Sequence, residues 1–165
     1  VKKIASLKQA LLAALPELQA SPDRLGVFVD KGRLVPRYGP SLAWEYRYQT
    51  RLWLEAFQGS ADRVMLPLLM WLRTNQPDLV LSFANDDNRI AFVADILSED
   101  ATDILIEFDL TEAVAVTPRA DGSGWDLEHL PEPSPDDMLL DGAVAEVPLA
   151  EIWIGDERVI PLPDA

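Results

Sequence analysis

The stretch from Leu42 to Phe57, LAWEYRYQTRLWLEAF, constrains the fold most. Read in twos, Leu42, Trp44, Tyr46, Tyr48, Leu52 and Leu54 share one side, with Thr50 and Ala56 as its weak members. Glu45, Arg47, Gln49, Arg51 and Glu55 share the other. Side chains of a strand alternate between faces, so this pattern predicts a long β-strand with one wall on a core and the other toward water or a partner. Aromatic residues suit such a pleated surface. The apolar positions lack the spacing of three and four that an amphipathic helix requires. Phe57-Gln58-Gly59-Ser60 ends the strand.

A second strand of the same kind is predicted over residues 103–117. Its even positions Ile104, Ile106, Phe108, Leu110, Val114 and Val116 are apolar, while Asp103, Glu107, Asp109 and Thr111 are polar. Glu112 interrupts the alternation and reads as the mark of a bulge. This strand is the natural antiparallel partner of the first. Shorter strands are expected near 89–97 and 125–130, the second after an Asp121–Gly124 turn. Leu25–Val29 and Arg33–Arg37 read as a small hairpin closed by Asp30-Lys31-Gly32.

Helical spacing appears twice. Residues 3–15, KIASLKQALLAAL, place Ile4, Leu7, Leu11, Leu12 and Leu15 on one stripe, and Pro16 ends the pattern. Over about 62–75, Val64, Met65, Leu68, Leu69 and Leu72 form an apolar face that Trp71 widens. Ser60 is the candidate N-cap there, with Asp62 near the positive end of the helix dipole. Pro67 requires that the regular helix start close to it or kink. Asn75-Gln76-Pro77-Asp78 is the stop, and Leu79–Phe83 is an apolar run that periodicity leaves unassigned. The fold class that follows is α+β: a largely antiparallel sheet with two main helices packed on one face.

Leu130–Pro135, LPEPSP, is the best boundary in the chain. It divides a domain over 1–133 from an acidic, Pro-rich extension over 134–165. The extension holds one hairpin pattern, Glu151–Ile154 and Arg158–Ile160 across Gly155-Asp156-Glu157, and Trp153 on it is a candidate docking residue.

At 165 residues the chain suits one domain, or one domain with an extension. It shows neither a signal peptide nor an apolar run long enough for a membrane helix, so no membrane role is expected. It contains no cysteine, hence no disulfide and no thiolate chemistry. The net charge of -14 is unevenly placed. Residues 1–82 carry 11 Lys/Arg against 7 Asp/Glu, net +4, and residues 83–165 carry 3 against 21, net -18. Two readings are open: opposite-signed faces that dock copies together, or an acidic half that only keeps the protein soluble.

The search for catalysis is largely negative. There is no phosphate-binding GxxxxGK[ST], no HExxH and no nucleophile elbow. His129 is the single histidine, has no spaced ligand partner and reads as a surface or packing residue. Asp86, Asp87 and Asp95 are the candidate cation ligands, the basis of an alternative reading as a cation-dependent hydrolase. The Asn85–Asn88 loop lacks the alternating carboxylates of a calcium loop. No cofactor is expected. Arg33, Arg37, Arg47 and Arg51 lie close in sequence to Tyr46 and Tyr48. Alternation turns the tyrosines to the core and Arg47 and Arg51 away, so no stacking platform for nucleic acid forms. The arginines instead read as a protein-facing patch. A monomeric protein-binding adaptor is a third reading.

With these segments placed, the chain resembles the tail completion protein R family of contractile-tailed temperate phages. The resemblance is carried by KKIASLKQALLAALPEL, VFVDKGRLV, GPSLAWEYRY, MLPLLMWLRTNQPDL, ADIL, DLTEAVAV and HLPEP, in that order over roughly residues 2–133. It implies a structural assembly protein of the tail terminator-like group, with no catalytic residues to transfer. Such proteins form rings, commonly hexamers, at the head-proximal end of the tail tube. The partners implied are further copies of the chain, tail tube and sheath proteins, and head–tail connector proteins, with DNA only passing through the lumen. The implied location is the virion tail, assembled in the host bacterial cytoplasm. Tyr46, Tyr48, Trp71, Asn75, Gln76, Pro77 and Asp78 are recurring positions that fit core packing and a helix stop as well as contact surface. The stretch after Pro135 matches the family only loosely.

Overall fold

The structure is a computed structural model that describes residues 1–39, 42–80, 90–98 and 100–133 in full, and 81, 152–154 and 157–160 by backbone. In chain order the elements are α1 (Lys2–Ala14), α2 (Pro16–Ala20), a 3-10 turn (Pro22–Arg24), β1 (Leu25–Pro36), β2 (Trp44–Gln58), α3 (Asp62–Asn75), α4 (Pro77–Leu81), β3 (Ile90–Ile96), β4 (Ala101–Pro118), β5 (Trp125–His129), β6 (Ile152–Ile154) and β7 (Glu157–Ile160). The two long alternating patterns are the two central strands. β1, β2, β4 and β3 lie side by side in that order, every neighbour antiparallel. β5 pairs with the far end of β4. Val114 is opposite Trp44 of β2 on one side and His129 of β5 on the other, so β5 shares the edge of β4 that β3 occupies. β6 and β7 pair with each other as an antiparallel ladder, as the hairpin pattern anticipated.

The helices cover one face of the sheet. Leu7, Leu11 and Leu15 with Val64, Leu68 and Leu72 bury completely against Leu52, Leu54, Ile104, Ile106 and Leu110. Each such side chain stabilises the fold by roughly 1.5–3 kcal/mol relative to leaving it in water. Tyr48 and Phe108 complete this layer, and Trp71 of α3 is tied to α1 by donating Nε1–H to Ser6 Oγ at 3.1 Å. The apolar side of the β2 pattern thus lies under α3, with Trp44 and Tyr46 only half-buried at its end.

Several local expectations are corrected. The Asp30-Lys31-Gly32 turn does not form: β1 runs straight through it, because β2 offers a continuous ladder, and the surplus residue becomes a bulge between Val29 and Lys31. Glu112 is not a bulge; it keeps register opposite Tyr46 and turns inward. The irregularity falls between Leu54 and Phe57, where one extra residue in β2 brings Phe57 back to the core side, fully buried. Ala56 there takes a left-handed φ of 45°, unusual for a residue with a Cβ. Its N–H donates to Asp103 Oδ1 at 2.7 Å, and Arg24 donates to the Glu55 and Ala56 carbonyls, so side chains from two neighbouring elements brace the kink. Pro16 ends α1 but also opens α2, where a proline at the first position forfeits no helical bond. Ala61, not Ser60, occupies the N-cap of α3; Ser60 Oγ still accepts the Asp62 N–H at 3.2 Å. Pro67 lies inside α3, which continues through it. The unassigned run after Pro77 is helical as far as Leu81.

Candidate functional site

On the face turned away from the helices, β1 and β2 bring the predicted arginines together. Arg33 stands directly opposite Arg47 across the ladder. Like charges in that position repel, and a sheet retains them at a cost. Arg47 Nε donates to Glu45 Oε2 at 2.6 Å, and Arg37 reaches the other oxygen of Glu45 at 3.5 Å. Arg33 forms no ion pair among the described residues. Lys31, Arg33, Arg47 and Gln49 line an open depression of about 560 Å³, with Asp109 and Thr111 of β4 along its far wall. Arg51 differs from the other three. It holds Glu107 of β4 at 2.6 Å and Asp30 of β1 at 3.3 Å, stitching three strands. Its charge is spent inside the sheet, whereas Arg33, Arg37 and Arg47 present theirs outward. The side chain of Trp153 lies outside the described residues.

A second cluster, on the helix side, escaped the sequence reading. Glu112 is buried, and its carboxylate accepts the N–H groups of Lys2 and Lys3 at 2.8 and 3.1 Å. It therefore receives the otherwise unpaired donors and the positive dipole end of α1. Tyr48 donates its hydroxyl to the same carboxylate, and His129 Nδ1 lies 3.1 Å from Glu112 Oε2. Tyr46 stacks on the His129 ring and meets Trp44 edge-on. One residue along, buried Gln76 fills the gap that β3 and β5 leave on the edge of β4. Its Oε1 accepts the Thr111 N–H at 3.0 Å and Lys3 Nζ at 2.8 Å, and its Nε2 donates to Thr111 Oγ1 and Asp78 Oδ1. Lys3 Nζ also reaches Glu132 at 2.7 Å. The signal was available in the sequence: an acid at an apolar position of an alternating strand must be either an error of register or a partnered group.

The chemistry of this seam is that of locked hydrogen bonds. Burial pushes the Glu112 carboxyl up, but the Tyr48 hydroxyl and the two helix N–H groups more than offset it, leaving the group below the usual glutamate range. Burial and the adjacent Glu112 push the Tyr48 phenol up. One group holds its charge and the other its proton, so neither is poised for transfer near neutrality. His129, expected at the surface or in packing, stacks on Tyr46 and also sets Nδ1 beside the Glu112 carboxylate. Of the candidate cation ligands, Asp86 and Asp87 lie outside the described residues, and Asp95 sits on β3. Among the described residues no cluster of acids and histidine could hold a metal.

The hub residues come from stretches far apart in the chain: Lys2 and Lys3, Tyr48, Gln76 and Asp78, Thr111 and Glu112, His129 and Glu132. These are the stretches that carry the family resemblance. Comparison with known proteins agrees. The family model of the P2 phage tail completion protein R (GpR) matches residues 1–133. A curated relative, the tail completion protein R of Escherichia phage P2, is 35% identical over 130 residues, which span 79% of this chain and 83% of the relative. No solved structure is significantly similar. The chain belongs to the P2 phage tail completion protein R (GpR) family.

Proposed function

We propose that the chain is a structural tail completion protein that closes the head-proximal end of a contractile tail as a ring of identical subunits. The observation that carries this reading is the family match, which spans the sheet, all four helices and the polar seam. A ring suits the molecule: an open sheet with two unlike edges joins copies head to tail, and head-to-tail contacts close only by rotation. The partners in this reading are neighbouring copies, tail tube and sheath proteins below, and head–tail connector proteins above, with DNA passing through the lumen. Assembly takes place in the host bacterial cytoplasm, and the mature protein resides in the virion tail. It acts by contact and not by catalysis. Arg33, Arg37 and Arg47 face subunit or tube partners, joined by Trp153 from an extension over 134–165 that is separate from the domain over 1–133. Arg51, as the tie between three strands, contributes to that face indirectly.

Negative-stain images of tails made with and without the protein test the reading. Uncapped or overlong tails in its absence are expected. Normally terminated tails that join heads without it would sink the proposal.

A further inference from the structure

The two edges of the sheet are complementary to each other. β1 is one edge, and β3 followed by β5 is the other; among the described residues neither outer edge has a strand partner. Free edges are usually blunted by charge, proline or cover. β3 has no proline and a single charge, Asp95, and its other side chains are apolar. Phe92, Val93 and Ile96 are 62%, 64% and 76% exposed, on both faces of one strand. Apolar residues on both faces belong to strands covered on both sides.

The registers place the two edges level by level. Val29 is opposite Thr50, Thr50 opposite Phe108, and Phe108 opposite Ile90. The same path leads from Phe28 to Ala91 and from Val27 to Phe92. At the other end it leads from Pro36 to His129. One residue beyond, Arg37, whose N–H donates to the Ala43 carbonyl, is level with Glu128. The apolar half of β1 is therefore level with apolar β3, Lys31 and Arg33 are level with Asp109 and Thr111 in the gap between β3 and β5, and Arg37, just past the strand, is level with acidic Glu128 of β5. The bulge between Val29 and Lys31 falls where β3 ends on β4 at Phe108. Direction agrees as well. Three antiparallel steps separate β1 from β3, so in a row of identically oriented copies the β1 of one copy runs antiparallel to the β3 of the next, with every helix layer on one side.

We propose that β1 of one subunit pairs with the β3 and β5 edge of its neighbour, extending a single sheet through the assembly. The proposal rests on the ring reading above and names its subunit contact. Phe28 packs beside Ala91 across the joint, and Arg37 meets Glu128, which has no partner among the described residues.

The absence of cysteine gives a clean test. Phe28→Cys and Ala91→Cys are combined in one chain that replaces the wild-type protein in a tail-producing lysate. Purified tails are treated with a short bismaleimide and run on a denaturing gel. A ladder that climbs past dimer is expected, with only monomer from either single substitution. Monomer alone from tails that contain the double variant would overturn the edge pairing while leaving tail completion intact. So would bands that stop at dimer, or cross-linking through Ala91→Cys alone. Wild-type tails that lack the protein altogether would overturn both readings. Should the cysteine pair prevent assembly, a charge exchange decides. Arg37→Glu and Glu128→Arg are each expected to lower the yield of completed tails by about tenfold, and the two together to restore it. No restoration would overturn the pairing.

Discussion

β4 crosses two interiors in one continuous run. From Ile104 to Leu110 its inward side chains are buried in the apolar core, with Thr50 opposite Phe108 as the one buried polar neighbour across β2 that forms no hydrogen bond among the described residues. Two residues further on, in the same register and on the same face, Glu112 meets two helix N–H groups, a phenol and an imidazole. The backbone is alike in both halves, but the stabilising forces are not. The apolar half is held by non-directional burial, which tolerates small shifts in position. The polar half is held by a few oriented bonds, each of which leaves a buried group unpaired when its partner is lost. The apolar half therefore fixes that the layers pack. The seam fixes how α1 and the α3–α4 junction are aligned on the sheet.

Truncation at the centre of the apolar half should have the largest effect. Ile106→Ala is expected to lower unfolding stability by about 3 kcal/mol, through lost burial and the cavity left behind. A urea midpoint measured against wild type checks this. A loss below about 1 kcal/mol would mean that the helices relax onto the gap and that the core is looser than the structure indicates.

The matching change in the seam is Glu112→Gln, expected to cost about 2 kcal/mol, because an amide nitrogen then faces donors that had a carboxylate to bond. It should also change the response to acid, which Ile106→Ala should not. The folded-state pKa of Glu112 lies below its ordinary value of 4.5. Its contribution is complete above that value and disappears as pH falls through the lower, folded one. The wild type should thus lose stability on acidification faster than the Glu112→Gln variant, and the gap between them should narrow at low pH. Parallel stability curves down to the acid limit would show that the Glu112 carboxyl titrates alike in the folded and unfolded chain.

The comparison also explains what could be read from the chain alone. Alternation in β2 and β4, and the three-and-four spacing of α1 and α3, state which side of each element is buried; the layer arrangement follows from them. Asp30-Lys31-Gly32 misled because turn chemistry is local, while the fate of a potential turn depends on whether a partner strand continues alongside it. Glu112 misled for a similar reason. Its justification lies more than a hundred residues away, at the first turn of α1. Alternation turned Arg47 and Arg51 outward and closeness in sequence grouped Arg33 and Arg37 with them, but only the structure separates Arg51, held between two carboxylates, from Arg33, which has none among the described residues.

Within the seam, Gln76→Leu should be milder, at about 1–2 kcal/mol. It leaves the Thr111 N–H without an acceptor, but Lys3 keeps Glu132. Amide exchange at Thr111 is the direct readout. Strong acceleration there without a change at Ile106 would mark the seam as separable from the apolar half, and uniform acceleration would mark the two as one cooperative unit.

The smallest effect should have the opposite sign. Thr50 sits in the apolar half between Val29 and Phe108, fully buried, and its Oγ1 has no hydrogen-bond partner. It is a polar atom placed where the surrounding layer offers only carbon. Threonine and valine have nearly the same shape, so Thr50→Val removes the unpaired hydroxyl without opening a cavity. β-Branching is retained, and with it the preference for a strand. The variant should be more stable than wild type by about 1 kcal/mol, since an unpaired buried hydroxyl carries a desolvation penalty of that order. Equal or lower stability would show that a water reaches Oγ1, and that the core is hydrated at Thr50 of β2, beside the bulge of β1.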